Sequence, residues 1–462
     1  MLLFICLTLS SINAQKAKYV FYFIGDGMGV NQVLGTEMYL SELKGEIGTT
    51  PLLFTQFPYA TTASTFSAFN GVTDSAAAGT ALATGNKTKN GSLGMEKNLD
   101  NKVNSVAVWA KESGYRVGIS TSVSVDHATP AAFYAHQKSR KSYYEIGKDL
   151  IKANFDFYAG SDFLKPTNKD LNEEDLYEQV KKAGYTLTRG YKDYKKKSKK
   201  AEKMILLQPE KASERNSIPY AIDRKKGDMT LSEITRAGIN FLTKETDKGF
   251  FFMVEGGKID WACHGNDAAT TFNEVIDMDN AIKVAYEFYE QHPDETLIVV
   301  TADHETGGFV LGTGAYKLNL QALKSQKSSE GHFTEILNSL RAKYKNQVPW
   351  EAVQLALKEN FGFWNTIQLN EEQEKSLKDI YEKSFKGQVV LEKNLYQQNE
   401  PLAGEAKRIL NKIALVGWTS GGHSAGLVPV FAIGANADIF QGRIDNTEIP
   451  VKIAEAAGYT HY

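Results

Sequence analysis

Short apolar runs recur along the chain and alternate with segments of helical periodicity. Residues 19–24 are apolar at every position, which predicts a strand buried on both faces, as in a parallel sheet. Further apolar runs predict strands at 115–120, 204–207, 250–254, 296–301, 413–418 and 427–433. Helical patterns lie between them, for example at 103–111, 231–242 and 273–289. This alternation predicts an α/β fold with a doubly wound, mostly parallel sheet sandwiched by helices.

Two segments interrupt the alternation. Residues 191–203 carry a cluster of lysines, which predicts a solvated surface loop. Residues 313–412 are rich in helix formers and contain amphipathic runs at 333–344, 350–359 and 371–386. We therefore predict one domain, residues 15–462, that carries residues 313–412 as a helical insertion.

The insertion has an apolar stripe that must be buried against another surface. In its first helical run the stripe consists of Phe333, Ile336, Leu337 and Leu340. A long insertion at the mouth of a catalytic sheet is more often functional than disordered. We expect the insertion to form a cap that limits access to the functional edge of the sheet. A peripheral or dimer-contacting subdomain is the alternative.

The charge balance argues against one class of partner. The 462-residue chain has 53 basic and 55 acidic residues, for a net charge of −2. A nucleic-acid-binding protein needs a basic surface, which this composition does not supply. In addition, no apolar run in the sequence is long enough to span a membrane.

Residues 1–14 resemble a signal peptide, with an apolar core followed by small and polar residues that end at Ala14. We predict export to the periplasm or out of the cell. Cys6 would be removed with this segment. Cys263 would then have no partner for an intrachain disulfide.

A helix rich in small residues is predicted directly after Thr73, Asp74 and Ser75. Thr73 or Asp74 suits the N-cap position, so Ser75 falls in the first turn. The free N–H groups and the positive end of the helix dipole favour a bound anion such as phosphate there. Ser75 is therefore placed to attack a phosphorus atom whose oxygens are already held. The alternative is an ordinary capped helix that packs through its alanines.

The first predicted strand ends at Asp26, within the sequence GDGMG. Glycine clusters of this kind also occur in dinucleotide-binding sites. The third glycine is misplaced for that motif, however, and the carboxylate of Asp26 would face the pyrophosphate. We therefore take Asp26 as one of several ligand-type residues at strand ends.

Asp260 and His264 form the most specific pair of candidate ligands. They are four residues apart, which places both on one face of a helical turn, a common spacing for metal ligands. Glu255 ends the strand before them, where a hard cation can take its oxygen. His127, Thr129 and Arg140 lie in another polar stretch, after the strand predicted at 115–120.

Asp303 and His304 follow the strand predicted at 296–301. Adjacent residues on a regular strand point to opposite faces, so their joint use requires the chain to leave the strand, which the following glycines allow. His423 lies in the sequence GGHSA, ahead of another apolar run. A single histidine of this kind also fits a surface or core position. Because strand ends converge on one edge of a doubly wound sheet, we predict one shared site.

Five motifs in these segments carry a resemblance to a known family. They are TDSAAAG, HATPAAFYAHQKSR, VEGGKIDWACH, TADHETGG and GGHSA. Together they resemble the alkaline phosphatase family, over residues 21–433 apart from the insertion. The resemblance implies a metal-dependent hydrolase of phosphate monoesters that carries two zinc ions and one magnesium ion.

The resemblance also implies roles for individual residues. The ligand sets are Asp260, His264 and His423 for one zinc ion, Asp26, Asp303 and His304 for the second, and Asp26, Thr129 and Glu255 for magnesium. Ser75 matches the nucleophile, whose oxygen also binds zinc. Arg140 matches the phosphate clamp, and Asp74 matches the residue that orients it.

The chemistry of these residue types agrees with the assignment. Zinc lowers the pKa of a bound hydroxyl and neutralises the oxygen of the leaving group. The planar guanidinium of Arg140 can bind two phosphoryl oxygens at once, which a lysine cannot match. Positioning and electrostatics would then supply most of the rate.

His127 and Trp261 depart from one branch of the family, which has an acidic residue and a lysine at these positions. Other members carry His or Trp there, so the resemblance still implies catalysis. We expect both side chains to lie beside the phosphate. There they would change the water shell and the occupancy of the magnesium site.

These observations predict an exported phosphomonoesterase that acts on small-molecule substrates through a phosphoserine, and the resemblance is consistent with a homodimer. A phosphodiesterase of the same superfamily is the nearest alternative. Arg140 and the magnesium site favour the monoesterase, because a diester lacks the extra charged oxygens that they would bind. A non-catalytic phosphate- or metal-binding module is the second alternative, but it would not need Ser75.

Overall fold

The structure is a computed structural model that describes residues 16–460, apart from residues 213, 215, 245, 246, 315 and 388. The predicted signal peptide lies outside the described residues. None of the helices in this part of the chain is both long enough and apolar enough to cross a membrane.

The strands are short and spread along the whole described chain. They are β1 (Tyr19–Gly25), β2 (Tyr59–Ser64), β3 (Arg116–Thr121), β4 (Phe157–Gly160), β5 (Tyr185–Arg189), β6 (Lys203–Leu207), β7 (Phe250–Gly256), β8 (Thr296–Thr301), β9 (Glu305–Thr306), β10 (Phe309–Leu311), β11 (Glu392–Lys393), β12 (Gln398–Asn399), β13 (Val416–Trp418), β14 (His423–Ser424), β15 (Val428–Gly434) and β16 (Ile444–Asp445).

Ten of these strands form the central sheet, in the order β16-β2-β15-β8-β1-β7-β3-β4-β6-β5. β1 lies between β7 and β8 and is parallel to both. β15 runs antiparallel to both of its neighbours, β2 and β8. Phe21, Tyr22 and Phe23 of β1 are completely buried, as their uniformly apolar run predicts. The mostly parallel sheet confirms the predicted fold class.

Helices connect the strands. They are α1 (Val30–Glu42), α2 (Ser75–Thr84), α3 (Val106–Glu112), α4 (Ala128–Ala131), α5 (Tyr143–Ala153), α6 (Leu176–Lys182), α7 (Gly190–Lys197), α8 (Leu231–Leu242), α9 (Lys258–His264), α10 (Ala268–Tyr289), α11 (Glu330–Lys343), α12 (Trp350–Phe361), α13 (Glu371–Phe385), α14 (Pro401–Ala414) and α15 (Glu448–Ala457). Helix α10 packs with α1 and α8, while α15 packs with α2 and α3, and both groups also contact the sheet. The sheet is therefore flanked by helices.

The insertion, residues 313–412, supplies α11 to α14 and the hairpin of β11 and β12. Its apolar side chains form a second core, to which Tyr39 of α1 and Phe272 of α10 also belong. Phe333 and Leu337 of the predicted stripe are completely buried in this core. The insertion is thus packed directly onto helices of the α/β core.

The strand predicted at 413–418 is wrong in its first half. Helix α14 continues to Ala414, and β13 covers only Val416–Trp418. Leu415 separates the two elements with a left-handed backbone, at φ 62°. The apolar residues at the start of the run pack on the core of the insertion as part of α14. A short apolar run cannot distinguish a strand from the end of a buried helix.

The loop predicted at 191–203 is also wrong. Helix α7 and a 3₁₀ turn (Ser198–Lys200) occupy most of the segment, and Lys203 begins β6. Tyr194 is buried and its hydroxyl donates to the carbonyl oxygen of Ala237 at 2.8 Å. Asp193 and Lys197, four residues apart, form an ion pair at 2.9 Å. The lysines therefore cover the exposed face of a helix that a tyrosine anchors to the core.

Candidate active site

Ser75 begins α2, and Asp74 caps the helix. The side chain of Asp74 accepts from the backbone N–H of Ala77 at 3.0 Å, which resolves the choice between Thr73 and Asp74 as the N-cap. Ser75 is completely buried, and its Oγ lies 3.3 Å from Nε2 of His304. The predicted nucleophile is thus at a helix N-terminus and beside a predicted metal ligand.

Asp74 also fixes Arg140. Its Oδ2 accepts from Nη1 of Arg140 at 3.1 Å, and its Oδ1 accepts from the N–H of Gly91 at 3.0 Å. The backbone N–H of Arg140 donates to the carbonyl oxygen of Gly91 at 2.7 Å. Burial lowers the pKa of Arg140, but Tyr396 and Asp74 raise it more, so the guanidinium stays charged. A fixed cation therefore lies beside Ser75.

Four carboxylates near the ends of the central strands are completely buried: Asp26 after β1, Glu255 in β7, Asp260 in α9 and Asp303 after β8. Burial and the neighbouring carboxylates raise the pKa of both Asp26 and Asp303 well above the ordinary value. Burial also raises the pKa of Glu255, to about 7. Burying four carboxylates in their charged form costs free energy unless cations neutralise them.

Two histidines direct their Nε2 atoms at Asp260. Nδ1 of His264 lies 2.6 Å from the carbonyl oxygen of Gly421, and Nδ1 of His423 lies 2.8 Å from that of Thr73. A carbonyl oxygen only accepts, so each Nδ1 carries a proton and the ring is held with its Nε2 toward Asp260. Burial lowers the pKa of His264, but Asp260 raises it more, so that the pKa lies above its ordinary value. The two Nε2 atoms are 3.1 Å apart, and they lie 3.3 and 3.7 Å from Oδ1 of Asp260. Imidazole nitrogens and a carboxylate oxygen grouped this closely are typical ligands of a metal ion.

The third histidine is oriented in the same way by Thr306. The hydroxyl of Thr306 donates to Oδ1 of Asp260 at 2.6 Å, so its oxygen accepts from Nδ1 of His304 at 3.2 Å. Nε2 of His304 is then unprotonated and lies 3.4 Å from Asp26 Oδ1 and 3.3 Å from Asp303 Oδ2. Burial lowers the pKa of His304 well below its ordinary value, which keeps the ring neutral.

The ligand-type side chains form three clusters in which the ligand atoms lie within 4.8 Å of one another. The clusters are Asp260 with His304 and His423, Asp26 with Asp303 and His304, and Asp26 with His127 and Glu255. Both oxygens of Asp26 and one oxygen each of Asp260, Asp303 and Glu255 are buried and lack a hydrogen-bond partner among the described residues. Acceptors in such an arrangement fit bound cations.

The second cluster consists of the same residues as the ligand set that the resemblance implies for the second zinc ion. The first cluster contains His304 in place of His264, whose Nε2 lies 3.1 Å from that of His423. The third cluster differs, because His127 joins Asp26 and Glu255 there. Thr129, on α4, is completely buried, and its hydroxyl has no hydrogen-bond partner in the described part of the chain. It is thus also free to bind a cation.

His127 and Trp261 adjoin this third cluster. His127 is the N-cap residue of α4, and its ring centroid is 6.0 Å from that of Trp261. Burial and the charge of Arg140 lower the pKa of His127 to about 3, so the ring is neutral at pH 7. His127 thus lies within electrostatic reach of Arg140 and Trp261 packs beside His127, and neither side chain brings charge to the cluster.

Lys258 is one residue of the site that the sequence left unassigned. Its Nζ is completely buried, lies 3.0 Å from Oε1 of Glu214 and 2.7 Å from the hydroxyl of Ser217, and sits over the rings of Tyr220 and Trp261. Lys258 lies inside the motif VEGGKIDWACH, two positions before Asp260. Its place in this motif is the sequence signal that could have identified it. The ammonium group of Lys258 thus packs against the face of the Trp261 ring.

Tyr396 is a second unassigned residue. Its ring stacks on Trp261, with centroids 4.4 Å apart and an angle of 15° between the planes. It belongs to the insertion, in the loop between β11 and β12, and no motif surrounds it. Only the packing of the insertion onto the core brings it to the site.

A sheet edge that gathers this many buried carboxylate and imidazole ligands around a serine is typical of a metal-dependent hydrolase. Residues 17–459 match the family described as alkaline phosphatase, so the chain belongs to the alkaline phosphatase family. It is a phosphomonoesterase of that metal-dependent family.

Individual relatives agree with this assignment. Alkaline phosphatase 3 of Bacillus subtilis is 32% identical over 458 residues, which cover 97% of this chain and 90% of the relative. The cold-active alkaline phosphatase from the psychrophile Shewanella sp. matches with a TM-score of 0.78 at 30% identity, covering 95% of this chain and 99% of that one. A histidine-to-aspartate variant of the alkaline phosphatase from the Antarctic bacterium TAB5, with Mg bound in its M3 site, matches with a TM-score of 0.67 at 26% identity, covering 97% and 100%.

Proposed function

We propose that this enzyme hydrolyses phosphate monoesters through a phosphoserine formed on Ser75. One observation carries the proposal: Asp74 joins the helix that begins with Ser75 to Arg140, while Ser75 Oγ lies 3.3 Å from His304. A nucleophile, a phosphate clamp and the metal-ligand clusters are thereby held at one sheet edge. A module that only bound phosphate would not need the serine.

Each of these residues has its own role in the reaction. Arg140 binds two phosphoryl oxygens, and Asp74 fixes the plane of its guanidinium. The hydroxyl of Ser75 gives its proton to water, and its oxygen attacks phosphorus as the bond to the leaving oxygen breaks. The departing alkoxide takes a proton from water and leaves as the alcohol. The N-terminus of α2 stabilises the negative charge on the bound oxygens. Attack by water on the phosphoserine then releases phosphate and restores Ser75.

We further propose that the three clusters hold two zinc ions and one magnesium ion. Imidazole nitrogens combined with carboxylates suit zinc, and the first two clusters offer both. The carboxylates and the threonine hydroxyl of the third site suit a harder cation. When bound, these cations lower the pKa of the serine hydroxyl and neutralise charge on the leaving oxygen.

The magnesium site is the place where this chain differs from part of its family. We propose that the neutral ring of His127 weakens magnesium binding there, because magnesium prefers oxygen ligands and charge. The magnesium-bound TAB5 variant, in which a histidine is replaced by aspartate, supports the idea that a carboxylate favours this ion.

The insertion also borders the site. The side chain of Asn411, in α14, donates to the carbonyl oxygen of Asn266 at 2.7 Å, and Lys407 donates to that of Gly265. Both carbonyls lie directly after His264. We propose that the insertion is the predicted cap, which limits the size of the ester group that enters.

The test compares an aryl phosphate monoester with the matching diester, before and after chelation of the purified enzyme. We expect faster hydrolysis of the monoester, loss of this activity on chelation, and better recovery with zinc than with magnesium alone. Faster hydrolysis of the diester would favour a phosphodiesterase. Turnover that survives complete removal of metal would exclude the mechanism.

We propose, finally, that residues 1–14 direct export and are then removed. The support is the order of apolar, small and polar residues that ends at Ala14. Sequencing the N-terminus of the protein recovered outside the cytoplasm should give a chain that begins after Ala14. A protein that stays in the cytoplasm with its first residues intact would refute export.

A further inference from the structure

Hydrogen bonds within its turn hold the hairpin of β11 and β12 in the insertion in one conformation. Oδ1 of Asn394 accepts from the backbone N–H groups of Tyr396 at 3.0 Å and Gln397 at 2.6 Å. The backbone N–H of Asn394 donates to the carbonyl oxygen of Gln397 at 3.0 Å. These bonds fix the turn that presents Tyr396.

The base of the hairpin is bonded to helix α11. The backbone N–H of Glu400, directly after β12, donates to the hydroxyl of Thr334 in α11 at 3.0 Å. The carboxylate of Glu400 is completely buried and forms an ion pair with Arg341. Breaking a buried pair of this kind would be costly, so the hairpin is tied to the helices of the insertion.

The ring of Tyr396 touches residues from two of the proposed metal sites. It stacks on Trp261, its centroid lies 5.4 Å from that of His264 in an edge-on arrangement, and it lies 6.0 Å from that of His127. The side chain therefore lies beside residues of both the first and the third proposed metal sites.

Tyr396 also lies within electrostatic reach of the phosphate clamp. Tyr396 interacts electrostatically with Arg140, and also with Asp260 and Asp26. A phenol and a guanidinium both donate hydrogen bonds, so an anion that accepts from both is the ligand that suits this pair.

We propose that Tyr396 is a phosphate-binding residue supplied by the insertion. Its hydroxyl donates to an oxygen of the phosphoryl group that Arg140 holds, and its ring, supported by Trp261, shields this group from water. This inference rests on the proposed function, and it assigns the insertion a direct contact with the phosphoryl group in addition to its role as a cap. Because the contact is with the phosphoryl group, it acts on every ester and on the phosphate product alike.

A purely structural role is the competing explanation, in which the ring only packs against Trp261. Tyr396→Phe separates the two, because it keeps the ring and removes the hydroxyl. Tyr396→Ala removes both. Tyr316→Phe is the matched control, since Tyr316 is also in the insertion but is fully exposed.

The experiment measures the Kd of inorganic phosphate by calorimetry on the zinc- and magnesium-loaded enzyme, with the Tm of each variant. We expect Tyr396→Phe to weaken phosphate binding about ten-fold or more at an unchanged Tm, as for the loss of a hydrogen bond to a charged group. Tyr396→Ala should weaken it at least as much, and Tyr316→Phe should not change it.

Two outcomes would overturn the proposal: a Kd of Tyr396→Phe equal to that of the unaltered enzyme, or an equal loss in Tyr316→Phe. Hydrolysis of an aryl monoester by the unaltered enzyme is measured in parallel. Its absence would refute the proposed function, whereas the calorimetric comparison would still report on Tyr396.

Discussion

The catalytic edge of the sheet and the insertion both reach the site, but they contribute different chemistry. The edge supplies buried charge, such as Asp26 and Asp303, held at the ends of strands that are enclosed by other strands. The insertion approaches through one hairpin and places the aromatic ring of Tyr396 there. The comparison indicates that the strands of the core hold the charged groups of the site in place. The insertion adds a side chain that contacts the bound ligand.

This difference predicts separable effects of substitution. Changes at the catalytic edge should reduce kcat, because they remove interactions with the reacting atoms. Changes in the core of the insertion should alter stability and leave kcat nearly intact, whereas changes at Tyr396 should weaken phosphate binding. The predictions below run from the largest expected loss to the smallest.

Ser75→Ala should lower kcat by about a thousand-fold or more, as removal of a nucleophile does in other covalent enzymes. Steady-state hydrolysis of an aryl monoester measures it. Thr80→Ser, in the same helix, is the control and should keep most of the activity. Near-normal turnover by the alanine variant would show that another group attacks phosphorus.

Arg140→Ala should cost about a hundred-fold in kcat/KM, because it removes charge-assisted bonds to the phosphoryl oxygens. Arg140→Lys should recover only part of this loss, since an ammonium group cannot bind two oxygens in one plane. Kinetics of both variants with the same monoester measure the effect. Equal activity of the lysine variant and the unaltered enzyme would contradict the clamp.

Leu337→Ala tests the insertion side of the comparison. Leu337 is completely buried in the core that joins the insertion to α1 and α10. The cavity should lower the free energy of unfolding by about 2–5 kcal/mol. At a temperature where the variant stays folded, kcat should change by no more than about two-fold, since no group at the reacting atoms is altered. A large fall in kcat at full folding would show that the two regions do not act separately.

The double variant His127→Asp with Trp261→Lys should have the smallest effect on catalysis among the changes at the site, but a clear effect on the third site. A carboxylate there adds an oxygen ligand and charge, so magnesium should bind more tightly and phosphate should leave more slowly. Magnesium titration and stopped-flow measurement of phosphate release report the two quantities. If neither changes, these positions do not act on the site.

The sequence predicts where the ligand-type residues lie because most of them follow apolar runs that form central strands. Asp303 and His304 after β8 are an example, and their joint use is explained by the chain leaving the strand at Ala302. The helix that begins at Ser75 follows from its run of small residues, which left Thr73 and Asp74 both open as the N-cap. Such signals are local, so a single sequence contains them.

The rest depends on contacts between distant segments. Tyr396 stacks on Trp261 across 135 positions, and no periodicity or motif marks it. The tautomer of His264 depends on the carbonyl oxygen of Gly421, from another part of the chain. The strand predicted at 413–418 failed for a related reason, because burial in the insertion decides whether those apolar residues form helix or strand.

The central claim is that the phosphoryl group passes through Ser75. The most direct test incubates the metal-loaded enzyme with inorganic phosphate, quenches it in acid, and examines its peptides by mass spectrometry. The account predicts one phosphoryl group on the peptide that contains Ser75, and none in the Ser75→Ala variant. An unmodified Ser75 with the label on another residue, or equal labelling of the variant, would contradict it.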